Sequence, residues 1–303
     1  MNIIMVHGGA DTSSAPQFCE VLREASLAGH RALVAGLLDA AEEAVKILEG
    51  SPLFNAGYGS VLNRDGEVEM DASIMEGTTG KFGAVAAIRS VSHPVSVARL
   101  VLEETPHVLL AGRGATEFAR TRGFPPVDSR SSRMVEAWQR ARDRAKQGLS
   151  PETSLFTGLP PDSSSPCDTV GCVVFHAGRV AAASSTGGSF MKAPGRVGDT
   201  PIPGAGIYAS SSCAAACTGL GEAFIETLTA KYVDSLVELG IHPQEAAEKA
   251  IIRLAEKRGG AVGGIIVVDS RGRFGAAHNS RSFPVALVAD GRLKENFIPR
   301  KTN

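Results

Sequence analysis

The sequence has few cysteines and almost no net charge, and each shortage excludes a class of protein. The chain has 303 residues and a formal net charge of -1, so no overall field attracts nucleic acid or an anionic membrane. Its five cysteines are odd in number and lack the paired spacing of a zinc site. We therefore expect free, buried thiols in a reducing compartment, at Cys19, Cys167, Cys172, Cys213 and Cys217.

We expect neither a targeting segment nor a membrane-spanning segment. The N-terminal strand has neither the basic region nor the long apolar stretch of a signal peptide. No apolar run approaches the ~18 residues that a bilayer-spanning helix requires. These features predict a cytoplasmic protein that binds neither membranes nor nucleic acid.

Several common catalytic motifs are also absent. None of the histidines is paired at metal-ligand spacing, and no Gly-x-Ser-x-Gly elbow occurs. The Gly8-Gly9 pair after the first strand is not followed by the Gly-Lys-Ser/Thr of a phosphate-binding loop. The sequence therefore favours neither a zinc centre, nor a serine-elbow hydrolase, nor a nucleotide-binding loop.

Glycine is abundant instead, and the predicted elements indicate an α+β fold. Glycine accounts for 34 residues, and the excess gathers around polar threonines, where backbone approaches a ligand closely. The predicted strands form meanders and the helices form blocks, without the alternation of a parallel sheet. We expect sheets stacked on one another with helices outside.

The sequence predicts three further boundaries of helices and strands. Gly29 is expected to separate two helices within residues 16–48. Residues 60–62 are expected to form a strand before a hairpin turn. One helix is predicted over residues 221–239, with Leu228 facing inward.

The stretch that begins at Thr169 points to the chemistry. Thr169 opens an apolar, β-branched run that predicts a buried strand over 169–176, paired with a second strand over 179–185. The preceding residues 148–168 are rich in serine and proline and predict an accessible linker. If the backbone is cut before Thr169, the new α-amino group, with a pKa near ~8, is a base that can activate the adjacent hydroxyl.

Other polar residues in glycine-rich segments suit hydrolysis of an amide in a small, amino-acid-like substrate. Arg196 is expected to bind a substrate carboxylate with two hydrogen bonds, and Asp199 to bind an ammonium group. Backbone N–H groups and a hydroxyl at Thr218-Gly219 are expected to form an oxyanion hole. The alternative is that these residues, with Thr186 and Asn55, are structural residues of glycine turns and a surface ion pair.

Six segments carry a specific combination of motifs. They are GSPLFNAGYGSVLN (50–63), MDASIM (70–75), DTVG (168–171), STGG (185–188), GRVGD (195–199) and TGLGE (218–222). Together they resemble the plant-type L-asparaginase/isoaspartyl peptidase family of N-terminal-nucleophile hydrolases. The similarity extends from His7 to about Leu293 and is weak over 10–29 and 122–167.

The resemblance implies a four-layer αββα sandwich and autoproteolysis between Asp168 and Thr169. A single domain of residues 1–303 would then be cut into an α chain, 1–168, and a β chain, 169–303. These chains are expected to associate as a dimer of αβ heterodimers. The implied activity is hydrolysis of β-aspartyl dipeptides and L-asparagine, with release of L-aspartate.

The resemblance also implies roles for individual residues. Thr169 would be the nucleophile, and Thr186 would hydrogen-bond it and tune its reactivity. Thr218 and Gly219 would bind the scissile carbonyl oxygen, and Asn55 would support the site. The further substrate-binding residues are Arg196 for the α-carboxylate, Asp199 for the α-amino group, and Gly221.

No catalytic cofactor is implied, but the loop between Leu48 and Tyr58 resembles the family's structural sodium loop. The ligands of such a loop are mostly backbone carbonyls. The expected positions are Leu48, Glu49, Ser51, Phe54, Ala56 and Tyr58.

The sequence departs from the family pattern at several positions. Asp11 replaces the last glycine of the usual His-Gly-Gly-Ala-Gly, a change expected to disturb the loop near the nucleophile or its cleavage. Residues 210–212 are all serine where an Asp or Asn is common. Cys217 is unusual before Thr218.

Three other functions stay open at this point. Glycosylasparaginase is typically lysosomal or secreted and has an Asn where Gly187 stands. A threonine aspartase-like endopeptidase shares the region of Asn55, although Thr186 and Asp199 match the asparaginases better. The third is an uncleaved, inactive scaffold in which Asp11 or the altered linker blocks maturation.

We predict that Thr169→Ala abolishes autoproteolysis, because the substitution removes the hydroxyl that attacks the backbone. Denaturing electrophoresis and intact-mass analysis of the unchanged protein should give fragments of residues 1–168 and 169–303, whereas the variant should remain one chain of 303 residues. Cleavage of the variant at the same bond would contradict the assignment of Thr169 as nucleophile.

Overall fold

The helices of the protein lie in blocks along the chain, as predicted. The structure is a computed structural model that describes residues 1–147, 169–294 and 297–302. The predicted linker, with Cys167 and Asp168, lies outside these described residues. One short 3-10 helix spans Gly57–Gly59. The α-helices are α1 (Pro16–Ala32), α2 (Leu37–Glu49), α3 (Pro94–Glu104), α4 (Gly112–Thr121), α5 (Ser132–Lys146), α6 (Gly221–Thr227), α7 (Thr229–Glu238) and α8 (Pro243–Lys257). No helix in the described part of the chain combines the length and apolar character needed to cross a membrane.

The strands form two sheets. They are β1 (Asn2–His7), β2 (Met70–Glu76), β3 (Phe82–Ile88), β4 (Leu109–Ala111), β5 (Val170–His176), β6 (Arg179–Thr186), β7 (Ile207–Ala209), β8 (Cys213–Gly219), β9 (Gly263–Asp269), β10 (Phe274–His278), β11 (Val285–Ala289), β12 (Arg292–Leu293) and β13 (Arg300–Lys301). The first sheet has the order β12-β11-β1-β5-β6-β2-β3-β4, and the second has the order β13-β10-β9-β8-β7. Neighbouring strands are antiparallel except for β3 with β4 and β10 with β13. The predicted α+β class is therefore confirmed.

Alternation along the strands divides the apolar core into three clusters. On β1, Ile4 packs with residues of α1 and α2, whereas the neighbouring Ile3 packs with Ile266 of β9. On the other face of β9, Ile265 packs with Phe224 of α6. Successive side chains of a strand point to opposite faces, so each sheet contributes one face to the cluster between the sheets. We call this central cluster and its continuation along the strands the inter-sheet layer.

The predicted helix break at Gly29 was wrong, because Gly29 lies inside α1 and the break falls at residues 33–36. A β-carbon on Gly29 would lie 2.9 Å from the carbonyl oxygen of Ala40 and 3.1 Å from the Cβ atom of Ala44. Gly29 thus permits α1 and α2 to pack closely. The glycine marks a contact between helices and not an end of a helix.

The other two boundary predictions were also wrong. Residues 60–62 form no strand, and the Val61 N–H donates instead to Oδ1 of Asn55 at 3.0 Å. The helix predicted over 221–239 is interrupted at Leu228, which has a left-handed backbone with φ of 48°. The Leu228 side chain is consequently 51% exposed instead of facing inward.

The thiols agree with the expectation only in part. Cys172, Cys213 and Cys217 are buried and unpaired, whereas Cys19 is unpaired but only partly buried. Burial raises the pKa of Cys172, Cys213 and Cys217 above the usual value. These three thiols are therefore inert core residues.

We expect Gly29→Ala to lower the free energy of unfolding by about 1–3 kcal/mol, because the new methyl group collides with the backbone of α2. Gly114 is the matched control, since it lies in α4 and a β-carbon there would meet nothing within 4 Å. Gly114→Ala should raise the free energy of unfolding by about 0.5–1 kcal/mol, because alanine favours the helix. Urea unfolding measures both effects, and equal changes in the two variants would argue against the close helix contact.

Candidate active site

The candidate site begins at Thr169, which directly precedes β5. In the antiparallel pair of β5 and β6, Val170 lies opposite Ser185. Continuing this register by one residue places Thr169 opposite Thr186, the last residue of β6. On the other side of β6, Asp71 of β2 lies opposite Thr186. Thr169, Thr186 and Asp71 therefore form a row across neighbouring strands at one end of the first sheet.

The side chains of this row face the second sheet. Along β5, Cys172 packs beneath the helices and Val173 packs between the sheets. Because side chains alternate, Thr169 shares the face of Val173 and points into the inter-sheet layer. Thr169 is 4% exposed. The nucleophile predicted from the sequence is thus held at the buried end of the apolar layer.

Thr218 of β8 lies across the layer from this row. A β-carbon on Gly171 would lie 3.0 Å from the Cβ atom of Ala216, so β5 and β8 approach each other here. Thr218 follows Ala216 by two residues, shares its face and is fully buried. Its Oγ1 accepts the N–H of Ala10 at 3.2 Å. Among the described residues, the Thr218 hydroxyl donates no hydrogen bond, which is compatible with the predicted role in an oxyanion hole.

Gly219 adopts a backbone conformation that favours glycine. Its φ is 139°, and a β-carbon there would overlap the carbonyl oxygen of Val262. Any larger residue would have to displace the backbone of the adjoining strand. The backbone at the predicted oxyanion hole is therefore fixed by glycine.

Arg196 and Asp199 lie together beside the first turn of α6. A β-carbon on Gly221 would lie 2.8 Å from Nη2 of Arg196 and 3.0 Å from Oδ1 of Asp199, so glycine provides the space for both. Nε and Nη2 of Arg196 donate to the two carboxylate oxygens of Glu222 at 3.0 and 2.9 Å. This pairing raises the pKa of Arg196 despite its burial. The sequence analysis assigned no role to Glu222.

Asp199 is a buried carboxylate with an unsatisfied oxygen. It is 3% exposed, and among the described residues its Oδ2 has no hydrogen-bond partner. Burial raises the pKa of Asp199 to about 7, and the negative charges of Glu222 and Asp71 add to this effect while Arg196 opposes it. A buried carboxylate of this kind is complementary to an ammonium group.

Asn55 connects two backbone segments behind Thr186. Its Nδ2 donates to the carbonyl of Gly188 at 2.7 Å, and its Oδ1 accepts the N–H of Val61 at 3.0 Å. The N–H of Gly188 in turn donates to Oγ1 of Thr186 at 3.0 Å. Asn55 thus orders the turn that contacts the Thr186 hydroxyl, which is the geometry that a supporting residue requires.

His7 is a further buried residue to which the sequence analysis gave no role. It pairs with Gly171 in the register of β1 and β5, and a β-carbon on Gly171 would overlap its ring. Burial lowers the pKa of His7 to about 3, and an interaction with the backbone of Thr169 opposes this shift only weakly. His7 is therefore a neutral imidazole beside Thr169.

Asp11 fits the turn in which the family usually has glycine. Its φ is 61°, a left-handed conformation that aspartate tolerates better than most residues. Its Oδ1 accepts the N–H of Arg281 at 2.8 Å, and its own N–H donates to the carbonyl of Ser282 at 2.8 Å. The carboxylate thus adds a hydrogen bond that glycine lacks, and the expected effect of Asp11 on the loop and on cleavage stays a prediction.

Backbone carbonyls converge in the loop after α2. A β-carbon on Gly59 would overlap the Phe54 carbonyl oxygen and lie 2.9 Å from that of Ser51, and one on Gly57 would overlap that of Glu49. The Leu48, Phe54 and Ala56 carbonyls each accept an N–H group of the loop, and Tyr58 is exposed. The Glu49 carbonyl therefore lies against Gly57, and the Ser51 and Phe54 carbonyls lie against Gly59 in the same loop.

The structure brings the predicted site residues into two adjoining groups. Thr169, Thr186 and Thr218 lie at the same end of the inter-sheet layer. Arg196, Asp199 and Gly221 lie at the start of α6. Asp71 and Glu222, to which the sequence analysis gave no role, belong to the segments MDASIM (70–75) and TGLGE (218–222). The signal for Asp71 was its place in a polar alternation along an otherwise apolar strand.

Comparison with known proteins identifies the relatives of this chain. A family model described as Asparaginase matches residues 1–298. The chain is 46% identical over 297 residues to a plant-type L-asparaginase of Pyrococcus abyssi, covering 96% of this chain and 97% of that protein. It is 41% identical over 295 residues to an isoaspartyl peptidase of Salmonella typhimurium, covering 92% of each. It is 40% identical over 300 residues to an isoaspartyl peptidase/L-asparaginase of Rattus norvegicus, covering 96% of this chain and 87% of that protein.

Proposed function

The chain belongs to the Asparaginase family, and we propose that it is a threonine-nucleophile amidohydrolase that becomes active after autoproteolysis between Asp168 and Thr169. Its substrates are β-aspartyl dipeptides and L-asparagine, and its product is L-aspartate. The observation that carries this proposal is the position of Thr169 beside Thr186 and across the inter-sheet layer from Thr218.

The proposed reaction begins with the new α-amino group of Thr169. This amine takes the hydroxyl proton, and the Thr169 oxygen attacks the side-chain carbonyl carbon of the substrate. The Thr218 hydroxyl and the Gly219 backbone stabilise the negative oxygen that develops. The C–N bond of the substrate amide then breaks, and the leaving amine or ammonia takes the proton from the Thr169 α-amino group. Water hydrolyses the resulting ester between Thr169 and the substrate to release L-aspartate. Thr186 tunes the nucleophile through its hydroxyl.

The proposed substrate-binding residues select an α-amino acid. Asp199 binds the α-ammonium group, which pairs the otherwise unsatisfied Oδ2. Arg196 binds the α-carboxylate with the N–H groups that Glu222 does not occupy. Gly221 provides the space in which both side chains approach α6.

We further propose the four-layer αββα sandwich of N-terminal-nucleophile hydrolases. Its support is that helices share apolar clusters with the outer faces of both sheets, while a third cluster lies between them. A dimer of αβ heterodimers and a cytoplasmic location stay predictions.

We also propose a structural sodium ion in the loop after α2. The loop carbonyls of Glu49, Ser51 and Phe54 fit a hard cation, because such ions prefer oxygen ligands. The ion would stabilise the loop and take no part in the reaction.

One observation disfavours glycosylasparaginase. A β-carbon on Gly187 would overlap Oδ1 of Asn55 and lie 2.7 Å from the Cβ atom of Ser60. The asparagine that glycosylasparaginases carry at this position therefore does not fit here. The endopeptidase and the inactive scaffold are distinguished from the proposed enzyme by the assay below.

We expect the purified, cleaved protein to release L-aspartate from a β-aspartyl dipeptide and from L-asparagine. Coupled detection of free aspartate or mass spectrometry measures the product. The uncleaved Thr169→Ala variant is the control and should be inactive, since it lacks the nucleophile. A cleaved, folded protein that releases no aspartate would refute the proposed function.

We predict that kcat/KM falls steeply below pH 7. Asp199, with a pKa of about 7, must be ionised to bind the substrate ammonium, and the Thr169 amine must be neutral to act as base. Both groups gain a proton as the pH falls through their pKa values, about 7 for Asp199 and ~8 for the amine. A plot of log(kcat/KM) against pH should therefore have a slope near 2 below pH 7. Asp199→Asn removes one titration and should give a slope near 1 and lower activity. The same slope in both proteins would exclude Asp199 from substrate binding.

A further inference from the structure

Polar side chains alternate along the first part of β2 and the residue before it. Glu69, Asp71 and Ser73 are buried, whereas the intervening Met70 and Ala72 belong to the apolar cluster beneath the helices. Residues at alternate positions of a strand share one face, so Asp71 and Ser73 point into the inter-sheet layer. Glu69 directly precedes the strand, and its Oε1 accepts Nη2 of Arg89 at 2.6 Å. Burying polar groups there costs free energy unless each one has a partner.

Each of these side chains binds the backbone of one loop, residues 195–200. The bonds run from the Gly195 N–H to Oε2 of Glu69 at 2.9 Å, from the Gly198 N–H to Oδ2 of Asp71 at 3.2 Å, and from Oγ of Ser73 to the Thr200 carbonyl at 2.6 Å. Arg196 and Asp199 lie between these attachment points. The loop that carries the predicted substrate-binding charges is thus attached to β2, or to the residue before it, at points before, between and after those charges.

We propose that Asp71 is a positioning residue for substrate binding, which holds loop 195–200 so that Arg196 and Asp199 face the substrate. Glu69 and Ser73 hold the two ends of the same loop. The inference rests on the proposed function, because it concerns the residues that bind the α-carboxylate and α-ammonium groups. Asp71 itself touches neither the substrate nor the nucleophile.

The position of Asp71 is fixed from two sides. Its Oδ1 accepts the N–H of Ala87 at 2.7 Å, where the register of β2 and β3 shifts and Ala87 has a φ of 47°. The carboxylate therefore uses an N–H that the irregular ladder leaves available. Because Asp71 also lies opposite Thr186, it connects the row of the nucleophile with the substrate-binding loop.

Buried cations compensate the charge of Asp71. Burial raises the pKa of Asp71, and Lys192 and Arg196 oppose this shift. Lys192 is itself buried, and its Nζ donates to the carbonyl of Glu69 at 2.8 Å. Removal of the Asp71 charge would therefore alter the electrostatic environment of the loop as well as its attachment.

The test is Asp71→Asn in the full-length, cleaved enzyme. An amide accepts through one oxygen only, so either the Gly198 N–H or the Ala87 N–H loses its acceptor. We expect KM for a β-aspartyl dipeptide and the calorimetric Kd for L-aspartate each to rise about tenfold or more. The kcat should stay within about threefold, because the threonines are untouched.

The pH profile provides a readout that a purely structural role would not move. Asp71 and Glu222 raise the pKa of Asp199, whereas Arg196 lowers it. Loss of the Asp71 charge should therefore shift the Asp199 titration in kcat/KM toward lower pH. A variant that is merely less stable would keep the titration of the unchanged enzyme.

Asp269→Asn is the matched control. Asp269 is equally buried, and its Oδ1 accepts the N–H groups of Arg271 and Arg273 at 3.0 and 2.7 Å. It lies at the other end of β9 from Gly263, which pairs with Gly219. We expect this variant to lose stability while its KM and Kd stay unchanged.

Ser73→Ala keeps the inference testable if Asp71→Asn fails to fold. This substitution removes one hydroxyl from the same face and should raise KM and Kd about threefold without preventing cleavage. Unchanged KM and Kd in a folded Asp71→Asn, or in Ser73→Ala if the former does not fold, would overturn the inference. An equal rise in Asp269→Asn would also overturn it. Failure of the unchanged enzyme to hydrolyse its substrates would instead contradict the proposed function.

Discussion

The register of β5 between β1 and β6 is the constraint on which the candidate site depends. His7 pairs with Gly171 on one side and Val170 with Ser185 on the other. A slip of one residue would turn Thr169 toward the helices and place the apolar side chains of β5 on the wrong faces. The burial of Val173 in the inter-sheet layer thus fixes the position of Thr169. Core packing and the candidate chemistry are consequences of the same alternation.

Burial then determines how charges behave at the end of the inter-sheet layer. Arg196 is paired with Glu222, whereas Asp199 keeps an oxygen without a partner in the described structure. A carboxylate excluded from water prefers its proton unless a cation is supplied, which is why its pKa rises to about 7. The charged loop is held in this environment by Glu69 and Asp71, whose own burial is offset by hydrogen bonds and nearby cations.

Local patterns were sufficient to predict β5, its pairing with β6 and the position of Thr169 at the head of the strand. They failed at Gly29, where a residue typical of helix ends instead permits two helices to touch. They failed again at Leu228, where an apolar residue in helical spacing adopts a left-handed backbone and faces solvent. The first outcome depends on a contact between α1 and α2, and the second on one left-handed residue, and periodicity alone contains neither.

The same limit explains which site residues the sequence revealed. Thr169, Thr186 and Thr218 stand out because polar residues beside glycine are unusual in apolar strands. The contributions of Asp71 and Glu222 to the site become visible only from their hydrogen bonds to Gly198 and Arg196, which lie more than twenty residues away. In the proposed enzyme, a substrate with both an α-ammonium and an α-carboxylate completes this charge network. An analogue that lacks the ammonium leaves Asp199 buried and unpaired, so the site discriminates through the cost of an unsatisfied charge.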